Sequence, residues 1–311
     1  MSSDHPAVRQ VLSGLYLAAI VVFTVVFLRS EWNEIVEHVG AVGAGALVLA
    51  FGCSVCGLIA GMFVFRSIIG GLGHGLPFRG AFVVYFVSQV GKYLPGSVWP
   101  AVVQLRLGTT YGVPRQANLV SFFLGLVLSL VVGVTTGFWA LAIVRPSAWL
   151  LPALLAISAV AAGYLLLPAW PTVVSRLPSM MRSRLPGEAP TGRSYVEATL
   201  LLVLSWVLHG LQVSILARAL GIDIDWLTLR SIGAFALAYA GGILFVVAPA
   251  GAGVREVILA ALLGGDDVAL LAALVLLSRV VLLIADLGLG AVGAYLSTSV
   301  GAFKTGEARP Q

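Results

Sequence analysis

A lysine, two prolines and two glycines interrupt an otherwise apolar run at Gly91-Lys92-Tyr93-Leu94-Pro95-Gly96-Ser97-Val98-Trp99-Pro100. Proline removes a backbone donor and glycine admits unusual dihedrals, so a continuous membrane helix cannot be built through this stretch. Broken backbone at membrane depth is tolerated only where protein buries it or where it lines a polar cavity. The setting is indeed a membrane, because the 311 residues are 59% hydrophobic and 10% charged, against about 25% charged in soluble domains. The mean hydropathy is +1.04. An all-α polytopic membrane protein follows, a single integral domain over residues 1–311. The longest polar stretch, about 168–194, is too short for a soluble catalytic domain. The net charge of +5 is small and dispersed, which gives nucleic-acid binding no support.

Cys53 and Cys56 form a C-x-x-C inside an apolar segment with no second ligand pair. They read as small residues on a packed helix, and neither a metal nor a cofactor is expected. The apolar run 11–28 has no small-residue cleavage site and is as long as a span, so it reads as retained.

Expected spans are 11–28, 42–65, 118–144, 149–167, 196–220 and 268–297, about six in all. Gly57 and Gly61 give the second span a small-xxx-small spacing suited to close helix packing. Trp32, Trp139, Trp149, Trp170 and Trp226 fall near span ends, as interfacial anchors do. The loop 66–79 carries Arg66 and Arg79, and the cytoplasmic loop 168–195 carries Arg176, Arg182, Arg184 and Arg193. With basic loops inside, both termini are cytoplasmic and both Arg79 and Arg115 face the cytoplasm. The broken segment between them must enter and leave on one face, as a re-entrant hairpin or two short spans. A second broken segment, 229–264, is interrupted at Ala248-Pro249-Ala250-Gly251-Ala252-Gly253 and should enter from the other face.

The halves 11–144 and 149–298 thus share one element order in opposite orientation, with two re-entrant hairpins. Gly80-Ala81-Phe82 before Pro95-Gly96, and Gly233-Ala234-Phe235 before Pro249, add a short echo, with Tyr85 and Tyr239 between. Inverted repeats with discontinuous helices are a recurring transporter design. Pro95, Gly96, Pro249, Gly251 and Gly253 are the hinge candidates.

An ionisable residue at mid-membrane costs about 2.5–3.5 kcal/mol on insertion scales and marks a polar interior. Lys92, Arg106, Arg255, Glu256, Arg279 and Asp286 are the candidates. Arg279 and Asp286 share one helix face about 10.5 Å apart, too far to pair with each other. A crossed arrangement, Glu256 with Arg279 and Arg255 with Asp286, is expected. No acid lies near Lys92 or Arg106 in the first hairpin, so these should be unpaired cations for an anionic ligand. Lys92, Arg106 and Arg255 are assigned to headgroup binding, and Glu256, Arg279 and Asp286 to gating or counter-charge. His209 reads as a satisfied interior polar residue, with a proton relay as the alternative.

The motifs Gly91 to Trp99 and Pro249-Ala250-Gly251-Ala252-Gly253-Val254-Arg255-Glu256 resemble the lysylphosphatidylglycerol synthase transmembrane, or flippase-like, family. The resemblance implies a lipid flippase-like protein of a prokaryotic plasma membrane. It extends over the hydrophobic chain but not to the soluble aminoacyl-transferase domain, so lysyl transfer from a charged tRNA is not expected.

Three functions compete. The first is translocation of an anionic phosphate-bearing lipid: a phospholipid, a polyprenyl phosphate or a lipid-linked sugar. The second is a non-catalytic partner of a lipid-modifying enzyme or glycosyltransferase, alone or as a homodimer, with structural ion pairs. The third, an enzyme acting on lipid phosphates, lacks a carboxylate metal cluster and offers only His209 as an intramembrane histidine.

Overall fold

The computed structural model describes residues 37, 39–40, 42–93, 98–144, 192–245, 251–265 and 267–306, with side chains as far as residue 298. The expected spans 11–28 and 149–167, most of the basic loop, and the hinge candidates Pro95, Gly96 and Pro249 lie outside the described residues.

Eight helices and a 3-10 turn make up the described secondary structure, and no strand occurs among those residues. They are α1 (Ala44–Gly71), α2 (Phe78–Val90), the 3-10 turn Gly91–Tyr93, α3 (Trp99–Thr110), α4 (Arg115–Val144), α5 (Gly192–Ala219), α6 (Leu227–Leu244), α7 (Val254–Leu263) and α8 (Val268–Gly306). Helices α1, α4, α5, α6 and the part of α8 from Val268 to Thr298 are long and apolar enough to cross a membrane. By contrast, α2 and α3 have 13 and 12 residues. At 1.5 Å per residue neither reaches across a hydrocarbon core of about 30 Å.

The boundary after α1 differs from expectation. The helix runs past Arg66 to Gly71, so the loop starts at Leu72 rather than at the charged residue. Arg66 is accommodated because its Nε donates to the Leu76 carbonyl at 3.1 Å, leaving the stem on the apolar surface.

The most extensive helix contact among the described elements joins α1 to α5. Gly57 makes it close: a Cβ there would lie 2.5 Å from the His209 ring. Ser205 Oγ donates to the Gly57 carbonyl at 2.9 Å, so the small residue also leaves a backbone acceptor within reach. One turn on, Gly61 faces the Tyr85 hydroxyl of α2. Cys53 is half-buried and Cys56 exposed, so the latter is turned away from this packed face.

Exchanging α1 with α5, α2 with α6, α3 with α7 and α4 with α8 maps the substantial helix contacts onto one another. Contact α4–α6 maps onto α8–α2, α5–α6 onto α1–α2, α2–α3 onto α6–α7, and α1–α8 onto α5–α4. Likewise α3–α4 maps onto α7–α8 and α1–α4 onto α5–α8, while α1–α5 maps onto itself. Small residues serve both members of the first pair. Gly137 and Gly233 bring α4 against α6, and Gly290 and Gly293 bring α8 against Val90, Val87 and Phe86 of α2.

Candidate functional site: a cationic cavity between two helix breaks

At the first break the chain tightens from α2 into the 3-10 turn that carries Lys92 and Tyr93. Gly91 permits this, since a Cβ would lie 3.0 Å from the Pro100 nitrogen on the returning arm. Pro100 sits in the first turn of α3, where its missing N–H costs nothing.

At the second break α6 ends at Leu244 and the next helix, α7, begins at Val254. Gly251 has φ +68°, and a Cβ there would come within 2.7 Å of the Gly242 Cα. Two glycine backbones therefore pack directly, and the approach demands glycine at position 251. The N-cap of α7 is Gly253, at φ +85°. Its N–H donates to Glu256 Oε2 at 2.6 Å, so a carboxylate neutralises the positive end of that helix.

Helix α8 supplies a partner to each break. Arg279 pairs with Glu256 Oε1, and both carboxylate oxygens of Glu256 are thereby used. Two turns further along α8, Asp286 Oδ2 accepts from Lys92 Nζ at 2.7 Å and from the Tyr93 hydroxyl at 2.7 Å. Asp286 is 2% exposed.

Arg255 is arranged differently. Among the described residues no carboxylate pairs with it. Its guanidinium lies over the rings of Phe235 and Tyr239, 4.5 and 5.0 Å from their centroids. Such cation–π contacts hold the plane of the group while leaving its N–H donors uncommitted.

These residues surround a cavity of about 410 Å³ lined by Lys92, Tyr93, Arg255, Arg279, Tyr85 and Tyr239, among others. Its size is in the range of small-molecule sites, roughly 300–1,000 Å³. Three cations, Lys92, Arg255 and Arg279, face two carboxylates, Glu256 and Asp286, leaving one net positive charge. That surplus resides on Arg255. Part of the lining is polar: Gln104 Nε2 donates to the Asn118 carbonyl and to Ser121 Oγ, each at 3.2 Å, and both Gln104 and Ser121 line the cavity.

Three expectations from the sequence are corrected here. Lys92 is not an unpaired cation, because Asp286 reaches it from α8. Arg255 does not pair with Asp286, whose carboxylate Lys92 and Tyr93 occupy while aromatic rings receive the guanidinium. Arg106 is exposed and is not among the cavity-lining residues. It follows the buried Gln104 by two positions, about 200° around α3, which turns it away. The hinge candidates Gly251 and Gly253 both have positive φ.

Tyr93, Gln104 and Ser121 were not picked out from the sequence. Adjacency to Lys92 was the one signal for Tyr93, whereas uncharged polar residues in apolar helices gave none. His209 is a buried polar residue whose Nδ1 is 2.7 Å from the Ser205 carbonyl, with its ring stacked on Phe235 at 5.0 Å. Since only an N–H can satisfy that carbonyl, Nδ1 carries the proton. Among the described residues no His, Cys, Asp and Glu cluster could hold a metal.

No individual curated protein matches the chain in sequence. Residues 11–290 match the family model of the lysylphosphatidylglycerol synthase TM region, and the chain belongs to that family.

Proposed function

We propose that the protein moves an anionic, phosphate-bearing lipid across the plasma membrane, with the headgroup received in the cavity between the two breaks. The observation that carries this reading is Arg255, a cation without a carboxylate partner among the described residues, beside a cavity at a helix break. A charge set among apolar helices is costly unless something compensates it, and a phosphate oxygen would give Arg255 the anionic partner it lacks among the described residues. Arg255 offers planar donors to phosphate oxygens, and Lys92 lines the same cavity as a second cation. The glycines of the second break are the hinge, and the two short arms of the first make a re-entrant hairpin. The self-mapping of helix contacts supports an internal repeat, and we read it as an inverted one with both termini cytoplasmic on the strength of the basic loops, an architecture of many alternating-access carriers. No bond-making step is assigned to these residues.

Reconstitution into liposomes tests the proposal. Fluorescent phospholipids and polyprenyl phosphates placed in one leaflet should equilibrate faster with the protein than without it, and Arg255→Ala should remove most of the difference. No acceleration for any lipid of the panel would overturn it.

A second reading has one observation in its favour: four of the five site charges are already paired. Such pairs would fasten both hairpins in a non-catalytic partner of a lipid-modifying enzyme or in a homodimer. Replacing Arg255 separates the readings, because a scaffold tolerates its loss and a carrier does not.

A further inference from the structure

Asp286 is placed unlike the other acid of the site. Glu256 uses both oxygens, one on Arg279 and one on the Gly253 N–H. Asp286 uses one: Oδ2 receives Lys92 and Tyr93, while Oδ1 is buried without a hydrogen-bond partner among the described residues. Lys92 lines the cavity and keeps 19% side-chain exposure, whereas the Asp286 side chain is 1% exposed behind it. Lys92 can therefore turn toward a ligand, and Asp286 cannot follow.

The groups around Asp286 come from every neighbouring element. The 3-10 turn gives Lys92 and Tyr93, α2 gives Tyr85, α5 gives His209, and α7 gives Arg255. On α8 itself, Arg279 is taken by Glu256. The titratable residues of α1 are Cys53, Cys56 and Arg66, and Arg66 is held by the Leu76 carbonyl. Among the described residues, Lys92 is thus the one cation in direct contact with Asp286. If a phosphate draws Lys92 away, a buried carboxylate is left with a single neutral donor, a state that low-dielectric surroundings strongly disfavour.

We propose that Asp286 is a proton-binding site, loaded when an anionic headgroup takes Lys92 from it, so that anion and proton bind together. This rests on the reading that the cavity receives an anion. Lys92 keeps its own proton and only changes partner. The incoming proton settles on Oδ1, the oxygen without a partner, while Tyr93 still donates to Oδ2. One negative and one positive charge enter, so the site keeps its net charge, and release of the headgroup returns Lys92 to Asp286 and expels the proton. The chemical class of the co-substrate is thereby H⁺, and a proton gradient could bias the direction of lipid movement.

Calorimetry on the purified full chain in nanodiscs tests this. The probe is dihexanoyl phosphatidylglycerol, a phosphodiester that holds one negative charge throughout the neutral range. Titrations in buffers of different ionisation enthalpy should show uptake of about one proton per anion bound. Asp286→Asn should bind the probe with no proton uptake, and His209→Gln should leave the uptake intact. Binding by the native protein with no buffer dependence would overturn the inference while leaving the anion site standing. Uptake lost in His209→Gln but retained in Asp286→Asn would also overturn it, moving the proton to His209. No binding of the probe by the native protein would remove the underlying reading and the inference with it. The native measurement stands even if Asp286→Asn fails to fold.

Discussion

Lys92 Nζ and Asp286 Oδ2 lie 2.7 Å apart and join the first helix break to the last described helix. The contact links the polar turn after α2 to the middle of an apolar helix, so each charge owes its place to the other. Removing one partner leaves the other buried and uncompensated.

Asp286→Ala is therefore expected to destabilise the protein by about 3–5 kcal/mol, the range for breaking a buried pair. The double variant Lys92→Met with Asp286→Leu should recover most of that loss, since no lone charge remains. Thermal unfolding in detergent of Lys92→Met, Asp286→Leu and the double reads the coupling. Additive losses would show that the pair carries no coupling.

Arg255→Ala should fold normally, because no carboxylate among the described residues pairs with Arg255. Headgroup transfer should fall about 10- to 100-fold, as loss of a charge-assisted hydrogen bond worth roughly 1.5–3 kcal/mol implies. Arg255→Lys should fall between, retaining charge but not the planar stacking on Phe235 and Tyr239. Initial rates of lipid equilibration in liposomes measure all three.

The α1–α5 contact predicts a local contrast along one helix. Gly57→Ala places a Cβ 2.5 Å from the His209 ring, whereas Gly52 has nothing within 4 Å of that position. Overpacking should cost Gly57→Ala about 1–3 kcal/mol. Gly52→Ala should be neutral or slightly stabilising. The two melting temperatures decide it, and equal values would contradict the packing described.

The second break can be probed the same way. Gly112 and Gly251 both have positive φ, +82° and +68°, but only Gly251 abuts another backbone. Gly112→Ala should cost about 1–2 kcal/mol from its left-handed conformation alone. Gly251→Ala adds the collision with Gly242 and should lower stability further and stop lipid movement. Melting temperatures and transport rates of the two variants should diverge.

Much of the framework was legible in the sequence because its causes are local. Glycine and proline clusters marked where helices end near Gly91 and Gly251, and the spacing of Gly57 and Gly61 marked a packed face. The seven-residue interval between Arg279 and Asp286 put both on one face of α8, and the Glu256–Arg279 pair followed from charge alone. Partner choice for Lys92 and Arg255 was not legible. Two cations competed for Asp286, and the outcome depends on which break α8 crosses at that height. Aromatic rings from α6 then received the remaining guanidinium, an interaction that charge pairing does not anticipate. Arg106 was misplaced because its helical phase could be set only once Gln104 was known to be buried.

The exchange of helices that maps the fold onto itself leaves one contact unchanged, that of α1 with α5. In an isologous dimer, the element on the two-fold axis meets its own copy in the same way. Two identical half-chains arranged in this way would meet through that one helix. Joining two such halves in one polypeptide frees them from identity, which paired copies of a single gene product cannot escape. The α7 segment begins Val254-Arg255-Glu256 where its counterpart α3 begins Trp99-Pro100-Ala101. Fusion thus permits a lone positive charge that a symmetric pair would have to carry twice.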